Sequence, residues 1–325
     1  MNVLVTGANG MLGHHVVQQL LKEQHTVQLI VRSKQNIFFD LSRVTVFKGN
    51  FTDYSDLYQA AKGCEVIIHI AAITQPGLLR PEEYNTVNVD GVAKVLKVAN
   101  DLSIRRIVYI SSANTVGYGT ELHQGDEHFN IQTPFTESYY AQSKVKAEQL
   151  IREASVQAHQ HCIIINPAFM LGKYDVKPGS GKLLIMGYKR WIMFIPKGGK
   201  NFVSVRSVAI AVCNALTMGQ NGERYLASGV NLSFREYYTL QKQVGGYRQM
   251  LVELPDVVLN LLGIAGNVLR MWGIRTDHCT MNLRQLMIRE YYSNAKASIA
   301  LKLPNTDIQV DIKEAIDWFK EQNMI

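Results

Sequence analysis

Few folds are open to a chain that begins Val-Leu-Val-Thr-Gly-Ala-Asn-Gly-Met-Leu-Gly. Val3, Leu4 and Val5 make a short apolar run, and Thr6 and Gly7 punctuate it as a buried strand ending in a turn. Leu12, Val16, Val17, Leu20 and Leu21 then recur on one face at helical period. Gly7, Gly10 and Gly13 lie in the connection, each with its own physical use. The first permits the tight turn, the second lets a pyrophosphate approach the backbone, and the third lets the helix pack close to the strand. The free N–H groups of the helix start, at Asn9, Met11 and Leu12, face the anion.

Beyond this unit the chain alternates. Apolar runs at Val27–Val31, Val44–Phe47, Val66–Ala72, Ile107–Ser111 and Cys162–Ile165 are separated by helical patterns at about 53–61, 84–100 and 139–158. That alternation predicts an α/β fold, a Rossmann-type doubly wound parallel sheet covered on both faces. Past Pro167 glycines and prolines interrupt shorter runs, and helical patterns return near 207–218, 233–243 and 282–290. We therefore expect a dinucleotide-binding domain over residues 1–166. Residues 167–325 are expected to form mainly a smaller substrate-binding lobe, with some segments returning to the core. The stretch 251–274 is strongly apolar, but Glu253, Pro255, Asp256, Asn260, Asn267 and Arg270 interrupt it. A packed helix is expected there rather than a spanning one, with contact at a membrane surface as the alternative.

Charge is uneven. Residues 1–162 carry 14 basic and 15 acidic side chains, and residues 163–325 carry 20 and 12. Lys173, Lys177, Lys182, Lys189, Arg190, Lys197, Lys200 and Arg206 share their stretch with Asp175 alone, so the excess is expected at a substrate mouth or an acidic partner surface. No nucleic-acid motif accompanies it. Cys64, Cys162, Cys213 and Cys279 lie far apart, which suggests buried reduced thiols and neither a disulfide framework nor a metal site. Met1 leads straight into a strand with no basic and apolar leader, so a cytoplasmic protein is expected.

Cofactor choice is read at the end of the second strand. An acid there would bind a ribose 2′-hydroxyl, but the sequence is Val31-Arg32-Ser33. Arg32 offers a planar fork for a 2′-phosphate and Ser33 a hydroxyl, which predicts NADP(H) over NAD(H). For the chemistry, Tyr140 and Lys144 stand at i and i+4 on one helix face. Tyr58/Lys62, Tyr238/Lys242 and Tyr292/Lys296 share that spacing. Only Tyr140 follows the fifth strand with a hydroxyl, Ser112, at that strand's end. Ser111 is expected on the other face of the strand, and His14, His15 and His69, lacking partners at a useful spacing, are expected to be structural.

Thr6-Gly-x-x-Gly-x-x-Gly13 together with Ser112 and Tyr140-x-x-x-Lys144 resembles the extended short-chain dehydrogenase/reductase superfamily, in its NAD-dependent epimerase/dehydratase family and dihydroflavonol-reductase-like branch. The resemblance implies that Ser112 holds a substrate carbonyl, Tyr140 gives the proton, and Lys144 lowers the phenol's pKa and holds the nicotinamide ribose. It also implies cofactor contacts at Asn50 and Phe51 on the adenine, at Ala71 and Ala72, and at Pro167 and Met170 along the nicotinamide. The sequence departs from the family at Asn50, at Asn166 where Arg is usual before Pro, and at Ser204, Arg206 and Ser207.

Three functions compete. One is NADPH-dependent reduction of a small-molecule ketone or aldehyde. The second is a nucleotide-sugar epimerase or dehydratase with tightly held NAD, and the third a non-catalytic NADP-binding module. Ala113 and Asn114 replace the Asp-Glu pair of the dehydratases, and Arg32 opposes NAD, while the basic stretch could meet a diphosphate. A homodimer stays open.

Overall fold

The computed structural model describes residues 1–157 and 160–325. Its largest element is a seven-stranded sheet in which every pairing is parallel. In chain order the first six strands are β1 (Asn2–Thr6), β2 (Thr26–Val31), β3 (Thr45–Lys48), β4 (Val66–His69), β5 (Arg106–Ile110) and β6 (His161–Pro167). β7 (Phe169–Leu171), β8 (Ile192–Ile195) and β9 (Gly199–Ser204) lie outside it, and β10 (Arg224–Ala227) adds its seventh strand beside β6. The spatial order is β10-β6-β5-β4-β1-β2-β3, the doubly wound arrangement in which ligands bind at the carboxyl ends of the strands.

Period-two alternation sorts the core to the two faces. Val3 and Val5 face one side with Leu29, Ile68, Val108 and Ile165, under the helices α1 (Met11–Lys22) and, from late in the chain, α7 (Val205–Asn214). Leu4 faces the other with Ile67, Ile107 and Ile164. That side is covered by α2 (Tyr54–Ala61), α4 (Asp90–Asp101) and α5 (Tyr139–Gln157).

Several elements differ from the sequence expectation. The run Val66–Ala72 is a strand only to His69, because Thr6 Oγ1 accepts the amides of Ile70 and Ala71 (3.2 Å each) and draws the chain off the sheet. The helix expected over 84–100 is two, α3 (Pro81–Asn88) and α4, which meet where Val89 takes φ −105° and ψ −59°. The Asn88 side chain there is buried against the Ile73 backbone and Ser143. The helix expected at 282–290 is α10 (Thr280–Met287), and Arg289–Glu290 is instead a strand, β13, beside β9.

The second lobe is built on β9, with β11 (Val230–Ser233) antiparallel on one side and β7 and β13 parallel to it. Phe202 stacks on Tyr237 at 4.6 Å beside Phe234 and Phe319, from α8 (Phe234–Gly245) and α12 (Ile308–Glu321). The short helix α6 (Gly181–Gly187) joins this core through Leu184, and a two-stranded sheet pairs β8 with β12 (Met250–Glu253). α9 (Asp256–Met271) follows, then α10, and α11 (Ala295–Ala300) returns to β10. Among the described residues no helix is long and apolar enough to cross a membrane.

Gly13 shows how tightly the opening unit is packed. A Cβ there would stand 2.1 Å from the Gly7 carbonyl oxygen, a backbone atom that cannot move aside. Gly13→Ala is expected to lower stability by about 3 kcal/mol, as severe overpacking does. Gly179→Ala, where a Cβ meets nothing within 4 Å, is expected to shift it by less than about 0.5 kcal/mol. Urea unfolding of both variants checks the pair.

Candidate active site

A cleft of about 1580 Å³ runs along the carboxyl ends of the strands. Gly7, Asn9, Gly10, Met11 and Leu12 enter it after β1, Arg32 and Ser33 after β2, Asn50 and Phe51 after β3, and Ala71 and Ala72 after β4. Ser112 follows β5, Tyr140 and Lys144 come from α5, Pro167 ends β6 and Met170 lies in β7. Of the cofactor-binding and catalytic residues expected from the sequence, Gly13 alone is off the cleft wall, one turn behind it against Gly7 and Ala8.

The turn after β1 is fixed by Thr6. Its Oγ1 takes two amide donors, so its own hydrogen goes to His69 Nδ1 at 2.8 Å, and His69 is held neutral. Burial pushes His69 down to about 3, and its ring sits between Phe51 and Tyr109. It is a structural histidine. Gly7, at φ +75°, brings the chain so close to β4 that a Cβ would meet the Ala71 nitrogen at 2.7 Å.

The start of α1 opens onto the cleft without a side-chain cap and without an acid in its first turn. Gly10 is exposed there, and a Cβ on it would meet nothing closer than 3.4 Å, so the space over its backbone belongs to the cleft. Uncapped N–H groups at the positive end of a helix dipole fit a phosphate group. At the end formed by Arg32, Ser33, Gln35, Asn36, Asn50 and Phe51, no acidic side chain lines the cleft among the described residues.

At the other end Tyr140 is half-buried beside Tyr84. Burial pushes its phenol up to about 12, with the Ser112 hydroxyl working against that rise. Lys144 is buried, and Nζ donates to the Ile110 carbonyl at 2.7 Å while lying 4.6 Å from the Tyr109 ring centre. Loss of solvation brings its ammonium down to about 7, with Glu148 opposing. Lys144 is therefore turned to the backbone and Tyr109, while the Ser112 hydroxyl opposes the rise of the Tyr140 phenol. Ser111, expected on the opposite face, also reaches the cleft, with a buried hydroxyl beside Tyr109.

Two sets of contacts, both at residues the sequence had marked, join positions far apart in the chain. Asn166 replaces the expected arginine, and its buried amide donates to Glu148 (2.6 Å), Thr115 (2.9 Å) and the Ser112 carbonyl (3.1 Å), bracing the loop that carries Ser112. Lys200 and Glu290, ninety residues apart, form a buried ion pair in the cleft wall near Tyr292. The basic stretch is thus less free than its sequence suggests. Lys200 meets Glu290, Lys182 meets Asp277 at 3.0 Å, and Arg206 meets Asp311 and Glu314.

Fold and cleft together define an NAD(P)-dependent oxidoreductase of the extended short-chain dehydrogenase/reductase type. More narrowly, the chain belongs to the 3-beta hydroxysteroid dehydrogenase/isomerase family, whose model matches residues 4–223. It is 27% identical to a Synechocystis sp. protein named as a candidate dihydroflavonol 4-reductase, over 99% of this chain and 95% of that one. It is also 27% identical to the decarboxylating sterol-4-alpha-carboxylate 3-dehydrogenase ERG26 of Candida albicans, over 98% of each. The UDP-glucuronic acid 4-epimerase of Bacillus cereus, solved with UDP-glucuronic acid and NAD, shares the fold at a TM-score of 0.78 and 18% identity, over 99% of this chain and 100% of that one. A nicotinamide dinucleotide is the cofactor class of this group.

The depressed Lys144 gives a test that needs no substrate. Its folded pKa of about 7 lies below the ordinary lysine value of 10.5, so the buried ammonium weakens the fold most below pH 7, and the effect fades as pH rises to 10.5. Lys144→Met is expected to raise the thermal midpoint relative to wild type more at pH 6 than at pH 10. A pH-independent difference in melting would contradict the burial of a titrating ammonium.

Proposed function

We propose that the protein is an NADPH-dependent reductase of a small-molecule ketone or aldehyde. The observation that carries this reading is the convergence of Ser112, Tyr140 and Lys144 in one cleft with the uncapped α1 terminus and Arg32. Bound NADPH would supply the hydride. Ser112 donates a hydrogen bond to the substrate carbonyl, and Tyr140, whose phenol is fully protonated at neutral pH, gives the proton to the developing alkoxide. Lys144 is positioned by the Ile110 carbonyl and would reach a ribose hydroxyl of the cofactor. The backbone of Gly10–Leu12 would take the pyrophosphate, with Asn50 and Phe51 at the adenine end.

NADP(H) is preferred over NAD(H) in this reading because Arg32 is exposed at an acid-free end of the cleft. The epimerase alternative needs cations for a diphosphate. Lys182 and Lys200 lie in the cleft wall but are paired with acids, and Arg270 is held by the Leu78 carbonyl and Cys279, which leaves Lys177 as an exposed lining cation without an ion pair among the described residues. Pro76, Leu78, Leu79, Met271, Met281 and Leu286 line the same end, which supports an apolar carbonyl compound over a nucleotide sugar. The relatives named for dihydroflavonol and sterol chemistry agree with a ring ketone. Four free, buried cysteines support a cytoplasmic setting.

Two outcomes test the reading. Tyr140→Phe is expected to lower kcat by about 10²- to 10⁴-fold and leave NADPH affinity within about twofold, since the phenol acts in the transition state. Tyr139→Phe, one residue away and 37% exposed, is the control and should keep near-normal turnover. In calorimetry, Arg32→Ala is expected to weaken NADPH by roughly tenfold or more and NADH little, as loss of a charge-assisted phosphate contact does. Equal effects on both cofactors would remove the NADP assignment.

A further inference from the structure

The apolar stretch after β12 folds as a helix that is packed on one side only. α9 rests on α10 through Leu259, Gly263 and Gly266; a Cβ at Gly263 would meet the Thr280 backbone at 2.8 Å. Its remaining faces carry Val257 (67% exposed), Leu261 (63%), Ile264 (56%), Val268 (45%) and Met271 (83%) at helical spacing. A helix facing water puts polar residues there.

The apolar surface extends beyond the helix. In the two-stranded sheet that leads into α9, Ile192 pairs with Met250 and Phe194 with Val252. These four share the outward face, while Met193, Ile195 and Leu251 point into the lobe's core. Trp191 (83% exposed) precedes this sheet and Trp272 (77%) ends α9, so two of the chain's three tryptophans stand out from the surface. Single exposed apolar residues are ordinary, but a set of this size on elements consecutive in the chain marks a binding surface.

Its rim is cationic. Lys189, Arg190, Lys197 and Arg248 flank the two strands, all exposed and none in an ion pair among the described residues. Asp256 is the one acid in α9, and Glu253 is neutralised by Arg235 at 2.9 Å. A second copy docked through this face about a two-fold axis would set like charges against each other. Amphipathic tryptophans, an apolar helix face and a rim of lysine and arginine complement the headgroup and acyl layers of an anionic bilayer.

We propose that this face is a membrane-docking surface on which the protein seats against an anionic lipid bilayer, with α9 lying in the interface. Met271 and Arg270 of α9 also line the cleft, so docking sets the mouth of the cleft against the lipid. The hairpin of α9 and α10 is tied across that mouth by Arg270 to Leu78 (2.7 Å) and by Arg275 to Glu83, which holds the surface rigidly to the dinucleotide-binding half. An apolar substrate could then pass from bilayer to cleft without crossing water.

Flotation of the purified full chain with phosphatidylcholine vesicles, with and without phosphatidylglycerol, tests the surface apart from catalysis. Wild type is expected to float with the anionic vesicles and to lose most of that binding in high salt. Leu261→Asp combined with Ile264→Asp should cut the bound fraction by about tenfold or more while NADPH affinity and thermal midpoint stay near wild type. Lys189→Glu with Arg190→Glu should lose binding on anionic vesicles selectively. Tyr140→Phe should float as wild type does, whatever its turnover. Wild type that stays off every vesicle, an Asp double variant that floats unchanged, or one that instead splits a wild-type dimer into monomers would each overturn the proposal.

Discussion

One small knot of backbone and side chain underlies both the fold and the cleft. Thr6 sits at the end of β1, accepts the amides of Ile70 and Ala71, and gives its own hydrogen to His69. It thereby ends β4 at His69 and turns the following residues outward as cleft wall. Gly7 can make this approach only because it lacks a Cβ and tolerates φ +75°. Gly13, one turn into α1, lets the helix settle on the same turn so that its start opens toward the space just made. A buried hydroxyl with every lone pair and proton in use is costly to disturb, because each partner it releases is left unpaired away from water.

Burial acts in opposite directions on the two ionisable groups at the far end of the cleft. It raises the Tyr140 phenol and lowers the Lys144 ammonium, favouring the neutral form of each. That suits a proton donor in reduction, since the phenol stays protonated across the physiological range. It also leaves Lys144 near its titration point, ready to gain charge when a polar partner arrives. The Ile110 carbonyl and Tyr109 ring hold it meanwhile. Asn166, Thr115 and Glu148 brace the Ser112 loop from behind, so a neutral amide stands in this polar network, with its nitrogen paired and its buried oxygen left without a partner.

Much of the parallel sheet was legible because its strands are short apolar runs separated by helical periodicity, and the Gly7–Gly13 turn marks the first βα unit. Many cleft residues could be read locally because they lie at or just past the carboxyl end of such a strand, and Tyr140 and Lys144 because their i, i+4 spacing sets them on one face of α5. What could not be read depends on distance in sequence. β10 is four residues, Arg224–Ala227, and becomes a strand only by pairing with β6. The Lys200–Glu290 and Arg206–Asp311 pairs join segments about a hundred residues apart, so a charge count along the chain overstated the free positive charge. The apolar run at 251–274 could not reveal that α9 packs by its glycines and turns its large side chains outward. Hydrophobicity says that a segment avoids water, and tertiary packing decides what it meets instead.

The most direct test of the central reading is a crystal structure of the protein with NADPH. The account predicts the pyrophosphate on the backbone of Gly10–Leu12, the 2′-phosphate beside Arg32, and the nicotinamide at the Ser112, Tyr140 and Pro167 end of the same cleft. A cofactor bound away from the Tyr140 hydroxyl, or with its 2′-phosphate out of reach of Arg32, would contradict it.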